Sequence, residues 1–389
     1  MPRKQRRHYG DGSVYADKAT GGFIAQIYVN GKSIRRRAAS REAAEALLKE
    51  LRLQRDTGID MTAAAQTIAA FSEVWFNQVV LPRNLKMNTN RSYKGLLELY
   101  VVPDLGQYRL DAPRPRDMQI YINGLSARNT IYGTPFATGT INQIYRILKA
   151  MYDTAVKWEY VIRNPMDGVD CPSAVHKEKH AMTIDQTRQL WNEAEGSRYA
   201  AIYPLMSVLG LRTGEALGVR WIDLNRANRS IAIRQQIQAV KGGAVAITPK
   251  TKSSVRILPL TDDLLDRIDR HWTFQQEERA RLGIEWKEHG LIFPGTHGAP
   301  CTPETLRSQY LYIRRRCDLV SFGLHQLRHT AATRLMESGA HPYIIAAILG
   351  HAAQTQTQDY SDVSLEAMRG AVEQAERLLQ TETQKKAEG

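Results

Sequence analysis

Between Thr140 and Lys157 the apolar residues Ile141, Ile144, Tyr145, Leu148, Met151, Tyr152 and Ala155 recur at three- and four-residue intervals; Asn164-Pro165 then ends the pattern, and a polar stretch runs from Asp167 to His180. A stripe of that period is one face of a helix, which other apolar surface must cover. The residue before a proline is pushed out of helical backbone, and a polar run with little to bury has the composition of a linker. The chain is therefore divided near its middle into modules with separate cores. Its 389 residues suffice for two or three of them at the usual ~100–200 residues each.

Upstream, GSVYADK, FIAQIYV and KSIRRRAAS read as short strands, with turns at Thr20-Gly21-Gly22 and at Asn30-Gly31, a strong hairpin signal. Ser40 can cap a helix running to about Leu53, although Ala43 stands where the acid of a capping box would be. Helical pattern follows from about Ala65 to Asp167. From Thr183 the text is mixed: helices around 184–217, strand-like IAIRQQIQAV and GAVAITPK joined at Lys241-Gly242, then VRILPL, then helices to about 380 and a frayed TETQKKAEG tail. The expected fold is mainly α with small β-sheets, a multidomain α+β chain. Its parts are a three-stranded sheet plus helix over 1–62, a helical domain over 65–168 and a mixed α/β domain over 178–389.

The formal charge of +13 points to a polyanionic partner, because cations that neutralise phosphates release condensed counterions. The excess is concentrated at the start, where the first sixty residues hold 13 Lys or Arg against 7 Asp or Glu. Nucleic acid leads over an acidic membrane surface: no apolar run approaches the ~18 residues of a membrane span, and PRKQRRHYGDG lacks the apolar segment of a signal peptide. A cytoplasmic protein is expected. Cys171, Cys301 and Cys317 are an odd set without C-x-x-C spacing, so they are expected to be reduced structural thiols rather than zinc ligands or a disulfide framework.

Four stretches of the second half could carry chemistry. In Leu209-Gly210-Leu211-Arg212-Thr213-Gly214-Glu215 an arginine sits at a helix break between glycines, which let backbone or a phosphate approach closely. Glu215, three residues on, could orient its guanidinium. In Leu324-His325-Gln326-Leu327-Arg328-His329, helical spacing places His325, Arg328 and His329 together, apart from a Leu327, Ala331, Leu335 stripe facing the core. An arginine fork can hold two phosphate oxygens, and a histidine can move a proton near neutral pH. In Pro342 to His351, proline and glycine bracket a helix and leave His351 just past its end, with Tyr360 nine residues beyond. The fourth is Pro249-Lys250-Thr251-Lys252-Ser253-Ser254-Val255-Arg256, between two strand-like runs. Taken singly, each has an ordinary reading as a surface pair, a solvated helix face, a partly buried tyrosine or a hairpin tip.

Together they describe one reaction. A phosphodiester attacked by a side-chain oxygen passes through a pentavalent state carrying more negative charge than the substrate, which preorganised cations stabilise. A tyrosine hydroxyl, with a pKa of ~10, needs its phenolate stabilised to attack at neutral pH. The departing 5′-oxygen needs a proton, which a lysine can give. The ordered set LRTGE, PKTKSSVR, HQLRH, LGH and Tyr360 resembles the tyrosine recombinase and phage integrase family. The resemblance assigns Arg212, Lys250, His325, Arg328 and His351 to the catalytic set and Tyr360 to the nucleophile. Glu215 and His329 support them, and Lys252 remains an alternative to Lys250. It likens 65–168 to a core-binding domain and the basic start to an arm-binding domain, where Arg35, Arg36 and Arg37 are candidate DNA contacts.

The resemblance further implies a homotetramer exchanging strands between double-stranded attachment sites through a 3′-phosphotyrosyl intermediate and a Holliday junction. A host DNA-bending factor and an excision factor are possible partners. No cofactor or metal is expected: the phosphotyrosyl bond conserves the cleaved ester, and the arginines supply the charge stabilisation. The stripe Met368, Val372, Ala375 and Leu378 is expected to dock on a neighbouring protomer. Two rivals share parts of this picture, a type IB topoisomerase and a catalytically silent DNA-binding regulator.

Overall fold

The computed structural model describes residues 11–18, 21–29, 32–57, 66–85, 87–173, 180–248, 255–350 and 363–387, which fall into two compact units, 1–177 and 178–389. Lys250, Lys252, His351, Tyr360 and the Asn30-Gly31 turn lie outside the described residues.

In the first unit β1 (Ser13–Ala16), β2 (Phe23–Val29) and β3 (Lys32–Ala38) form an antiparallel sheet in that order. Helix α1 (Arg41–Asp56) follows, started by Ser40, whose Oγ accepts the Ala43 N–H at 3.1 Å. Alternation sends Val14, Ala25, Ile27 and Ile34 against Ala44, Leu48 and Leu51 of α1. The same alternation splits the arginine run. Arg35 and Arg37 are exposed with Tyr15 and Tyr28 on the other face, whereas Arg36 turns to the helix side and places Nη2 2.6 Å from Asp111. Of the three candidate DNA contacts, Arg36 thus holds a buried carboxylate on the helix side, and Arg37 on the exposed face places Nε 3.1 Å from buried Asp17. Burial raises the Asp111 pKa, but Arg109 and Arg36 outweigh it and hold the carboxyl below its ordinary range.

The helical part of this unit comprises α2 (Ile68–Trp75), α3 (Met87–Leu96), α4 (Val102–Leu105), α5 (Pro115–Ser126) and α6 (Thr138–Lys157). Two widened π-helical turns, Phe76–Val80 and Leu97–Val101, each lie just before a proline, Pro82 and Pro103. A proline ring nitrogen cannot continue the ladder, and a widened turn re-routes it. The α6 stripe is buried as its period requires, through Ile141, Ile144, Leu148, Met151, Tyr152 and Ala155, and Trp75 Nε1 donates to Thr154 Oγ1 at 3.1 Å. The polar stretch after Asp167 begins inside this unit rather than as a linker: Val169 is buried in the core and the Asp170 N–H donates to Gln119 Oε1 at 2.7 Å.

The second unit is built around α8 (Ile202–Leu209), in which every residue is buried; a helix apolar on all sides has to sit centrally. Around it stand α7 (Ile184–Ala194), α9 (Thr213–Gly218), α10 (Asp262–Leu282), α11 (Pro303–Arg316), α12 (Gln326–Glu337), α13 (Pro342–Leu349) and α14 (Leu365–Ala387). Helix α12 packs along α8, with Leu327, Ala331 and Leu335 fully buried. The run IAIRQQIQAV is not one strand. It breaks at Arg234-Gln235 into β5 (Ser230–Ile233), which lies between β4 (Leu224–Asn225) and β8 (Arg256–Pro259), and β6 (Gln236–Val240), which pairs with β7 (Gly243–Ile247). Buried Cys301 accepts from the Tyr199 hydroxyl at 3.0 Å and Cys317 is also buried, whereas Cys171 is exposed.

The stripe on α14 is used within the chain. Met368, Ala371, Val372, Ala375 and Leu379 belong to the core of this unit, and α14 packs on β8, α12 and α13, which corrects the expectation that this face docks on a neighbour. Beside the stripe, Glu376 is buried and its Oε1 accepts from Thr261 Oγ1 at 2.9 Å, at the start of α10. Burial raises the Glu376 carboxyl to about 7, with the nearby Asp263 and Glu373 adding to the rise against Thr261 and Arg267. The proton is therefore held longer in the folded chain than in the unfolded one. That contribution to stability is complete below the ordinary carboxyl value of 4.5 and is lost as pH climbs to about 7, by ~3 kcal/mol in all. Glu376→Gln should remove this pH dependence. Thermal unfolding is expected to show the variant roughly 5–10 °C above the unmodified chain at pH 8, with little difference at pH 5. Equal gains at both pH values would refute the assignment.

Candidate active site

Arg212 is the residue from which α9 starts, with extended backbone at φ −71° and ψ 151°. Glu215 reaches back from the first turn. Its Oε2 accepts the Arg212 backbone N–H at 3.0 Å and its Oε1 lies 2.7 Å from Arg212 Nη1, so one carboxylate fixes both the backbone and the guanidinium. The glycines of this motif serve close backbone approach: a Cβ at Gly214 would stand 2.7 Å from the Ile237 carbonyl oxygen, and one at Gly218 equally close to that of Gln235. Gly210 ends α8 at φ 66°, where a Cβ would meet Leu349 at 2.3 Å.

Arg328, on the first turn of α12, is buried. It does not lie on a solvated face: Nη1 donates to Gly210 O and Nη2 to Leu349 O, both at 2.7 Å. Burial, reinforced by the charges of Arg212 and Arg256 and opposed by Glu215, lowers its pKa to about 10, leaving it charged at neutral pH. His325 is exposed immediately before α12, one turn ahead of Arg328, and half-buried His329 follows it.

Arg256, which the motif reading left without a role, completes the group. Its Nη2 lies 3.0 Å from Glu215 Oε2 and its Nε donates to Ile348 O at 2.8 Å. No alternation in the sequence marked it, because Val255 and Ile257 in the opposite phase are as apolar as Leu258 and Leu260, and only the structure shows the first two exposed and the last two, in phase with Arg256, fully buried. An arginine at an inward strand position needs a buried partner. Burial raises the Glu215 pKa, but Arg256 and Arg212 together overcome this and hold the carboxyl below its ordinary range.

Residues of four stretches distant in sequence therefore meet at one place. At the C-terminus of α13 the consecutive carbonyls of Ile348, Leu349 and Gly350 accept from Arg256, Arg328 and Arg212, the last at 3.3 Å. The negative end of a helix dipole suits such a cluster of cations. Arg212, Glu215 and Arg328 are brought together, His325 and His329 stand on the α12 end of the same motif, and Lys250, His351 and Tyr360 lie outside the described residues. Among the described residues no group of His, Cys, Asp and Glu could hold a metal ion, and no helix is long and apolar enough to cross a membrane.

Comparison with known proteins gives the family. Residues 180–366 match the phage integrase family, and residues 67–126 match the phage integrase N-terminal SAM-like domain. A XerC-like tyrosine recombinase of Caldanaerobacter subterraneus subsp. tengcongensis is 25% identical over 366 residues, covering 88% of this chain and 92% of the relative. The ICEBs1 integrase of Bacillus subtilis is 23% identical, covering 85% and 89%. In fold, the chain is similar to the Tn1549 transposon integrase bound to a circular intermediate DNA, with a TM-score of 0.62 and 22% identity over 79% of this chain and 99% of that one. It is likewise similar to a lambda integrase tetramer bound to a Holliday junction, at 0.57 and 17% over 88% and 96%. With two parts of the chain matched in order, and the arginines of the larger part gathered on one helix end, the chain belongs to the phage integrase family, the tyrosine recombinases that cut and rejoin DNA at specific sites.

Proposed function

We propose that this chain integrates or excises a mobile element by cutting attachment-site DNA with Tyr360, holding the cleaved strand as a 3′-phosphotyrosyl ester and passing it to a second duplex through a Holliday junction. The observation that carries the reading is the convergence of Arg212 and Arg328, from separate motifs, on the helix end that immediately precedes His351. Two guanidiniums there can grip the non-bridging oxygens of one scissile phosphate and stabilise the charge that develops on them. His325 and His351 add hydrogen bonds to the same phosphate, with Glu215 and His329 supporting. Lys250, or Lys252 two residues on, protonates the departing 5′-oxygen. The protein works in the bacterial cytoplasm as a homotetramer on DNA, its 65–168 region gripping the core site.

The test is a nicked suicide duplex carrying the attachment core of the element that encodes the chain. Cleavage releases a short fragment and traps the enzyme. A covalent protein–DNA band on a denaturing gel is expected, whereas binding without that band would make the protein a silent DNA binder. Relaxation of supercoils with no need of paired sites would make it a topoisomerase.

The exposed sheet face of the N-terminal module suits arm-site DNA through Arg35 and Arg37, while Arg36 holds Asp111. Arg35→Ala with Arg37→Ala should lower the slope of log affinity against log salt for arm DNA by about 2, close to one per lost phosphate contact. Cleavage of core-site DNA should be unaffected. An unchanged slope in filter-binding titrations would remove these residues from the contact.

A further inference from the structure

Arg256 is the first residue of β8, and its backbone is fixed by pairing with Ile233 of β5. From that rigid base its side chain runs inward, only 7% exposed, to two acceptors from different elements: Glu215 Oε2 in the first turn of α9 and the Ile348 carbonyl near the end of α13. Glu215 passes the constraint on, since its other oxygen holds Arg212 Nη1. The guanidinium also packs against Gly350, where an added Cβ would stand 2.8 Å from Arg256 Nη1.

Two parts of the proposed site thus depend on one side chain that does not itself need to reach DNA. Without Arg256, Glu215 would keep a single arginine partner and could rotate with Arg212, and the Ile348 carbonyl would lose its side-chain donor. We propose that Arg256 is a positioning residue for strand cleavage: it fixes both the carboxylate that aims Arg212 and the helix end that leads into His351. A planar fork can serve a carboxylate and a carbonyl at once, and a lysine ammonium on a flexible stem cannot hold both in the same geometry. A residue that aims a transition-state donor affects the chemical step more than ground-state binding.

The inference rests on the recombinase reading, and the experiment separates the two. Full-length Arg256→Gln and Arg256→Lys are compared with the unmodified chain on the nicked suicide duplex, measuring DNA affinity by anisotropy and cleavage by single turnover. Arg256→Gln should bind within about threefold of the unmodified chain and cleave on the order of 10²-fold more slowly, with Arg256→Lys recovering only part of the loss. Adding Glu215→Gln to Arg256→Gln should cost little beyond the worse single change, because both remove one unit of the same network. The proposal is overturned if Arg256→Lys, which keeps the charge and guards against a misfolded Gln variant, cleaves at an unchanged rate. It is equally overturned if the two losses multiply, or if affinity falls in step with cleavage. Failure of the unmodified chain to form any adduct on this duplex would instead remove the recombinase reading itself.

Discussion

Tyr360→Phe should abolish the covalent protein–DNA band on the suicide duplex while leaving affinity for that duplex within about threefold, because on the proposed mechanism it removes only the attacking oxygen and spares the arginines proposed to bind the phosphate. The expected loss is the largest of any single change, since no neighbouring hydroxyl is assigned to substitute for it. Wild-type adduct formation by Tyr360→Phe, followed on a denaturing gel, would assign the nucleophile elsewhere. A parallel loss of binding would show that the substitution disturbs the fold rather than the chemistry.

Arg328→Ala comes next, and its effect has two separable parts. Losing one charge-stabilising donor should slow single-turnover cleavage by on the order of 10²-fold or more. The side chain also satisfies the carbonyls of Gly210 and Leu349, and a buried acceptor left unpaired costs about 1–3 kcal/mol. Thermal unfolding should therefore drop as well, so the rate has to be read well below the variant's melting temperature. Arg328→Lys keeps a charge but cannot bridge both carbonyls, and should fall between Ala and the unmodified chain in both measurements. A cleavage loss under about threefold in folded Arg328→Ala would remove this arginine from the chemistry.

How far the sequence could be read depended on whether a residue's partner was local. Arg212 and Glu215 are three apart, and their pairing followed from spacing. The α6 and α12 stripes followed from period, as did the Pro342 to Gly350 helix from its end signals. The resemblance of the ordered motifs supplied what spacing could not, namely that these stretches share one site. What stayed hidden was set by long-range contact. Arg35, Arg36 and Arg37 look alike in sequence, but strand alternation and the distant Asp111 give Arg36 a different task. The Met368 to Leu379 stripe shows that α14 must be covered but not by what, and the chain's own core covers it. The break at Arg234-Gln235 carries no glycine or proline to announce it; Gly218 leaves room there, and Gln235 Nε2 donates to its carbonyl at 3.0 Å.

The way the three arginines are tied down sets the electrostatics of the pocket. Arg212 and Arg256 share the carboxylate of Glu215, and the other side-chain hydrogen bonds described for these two and for Arg328 go to main-chain oxygens. An amide oxygen orients a guanidinium without cancelling its charge, so each of these contacts aims an arginine and leaves its cation in place. A phosphodiester brings one negative charge and its five-coordinate state two. On the proposed mechanism, cations held in this way gain more from the five-coordinate state than from the bound ester, and the amides that orient them do not titrate.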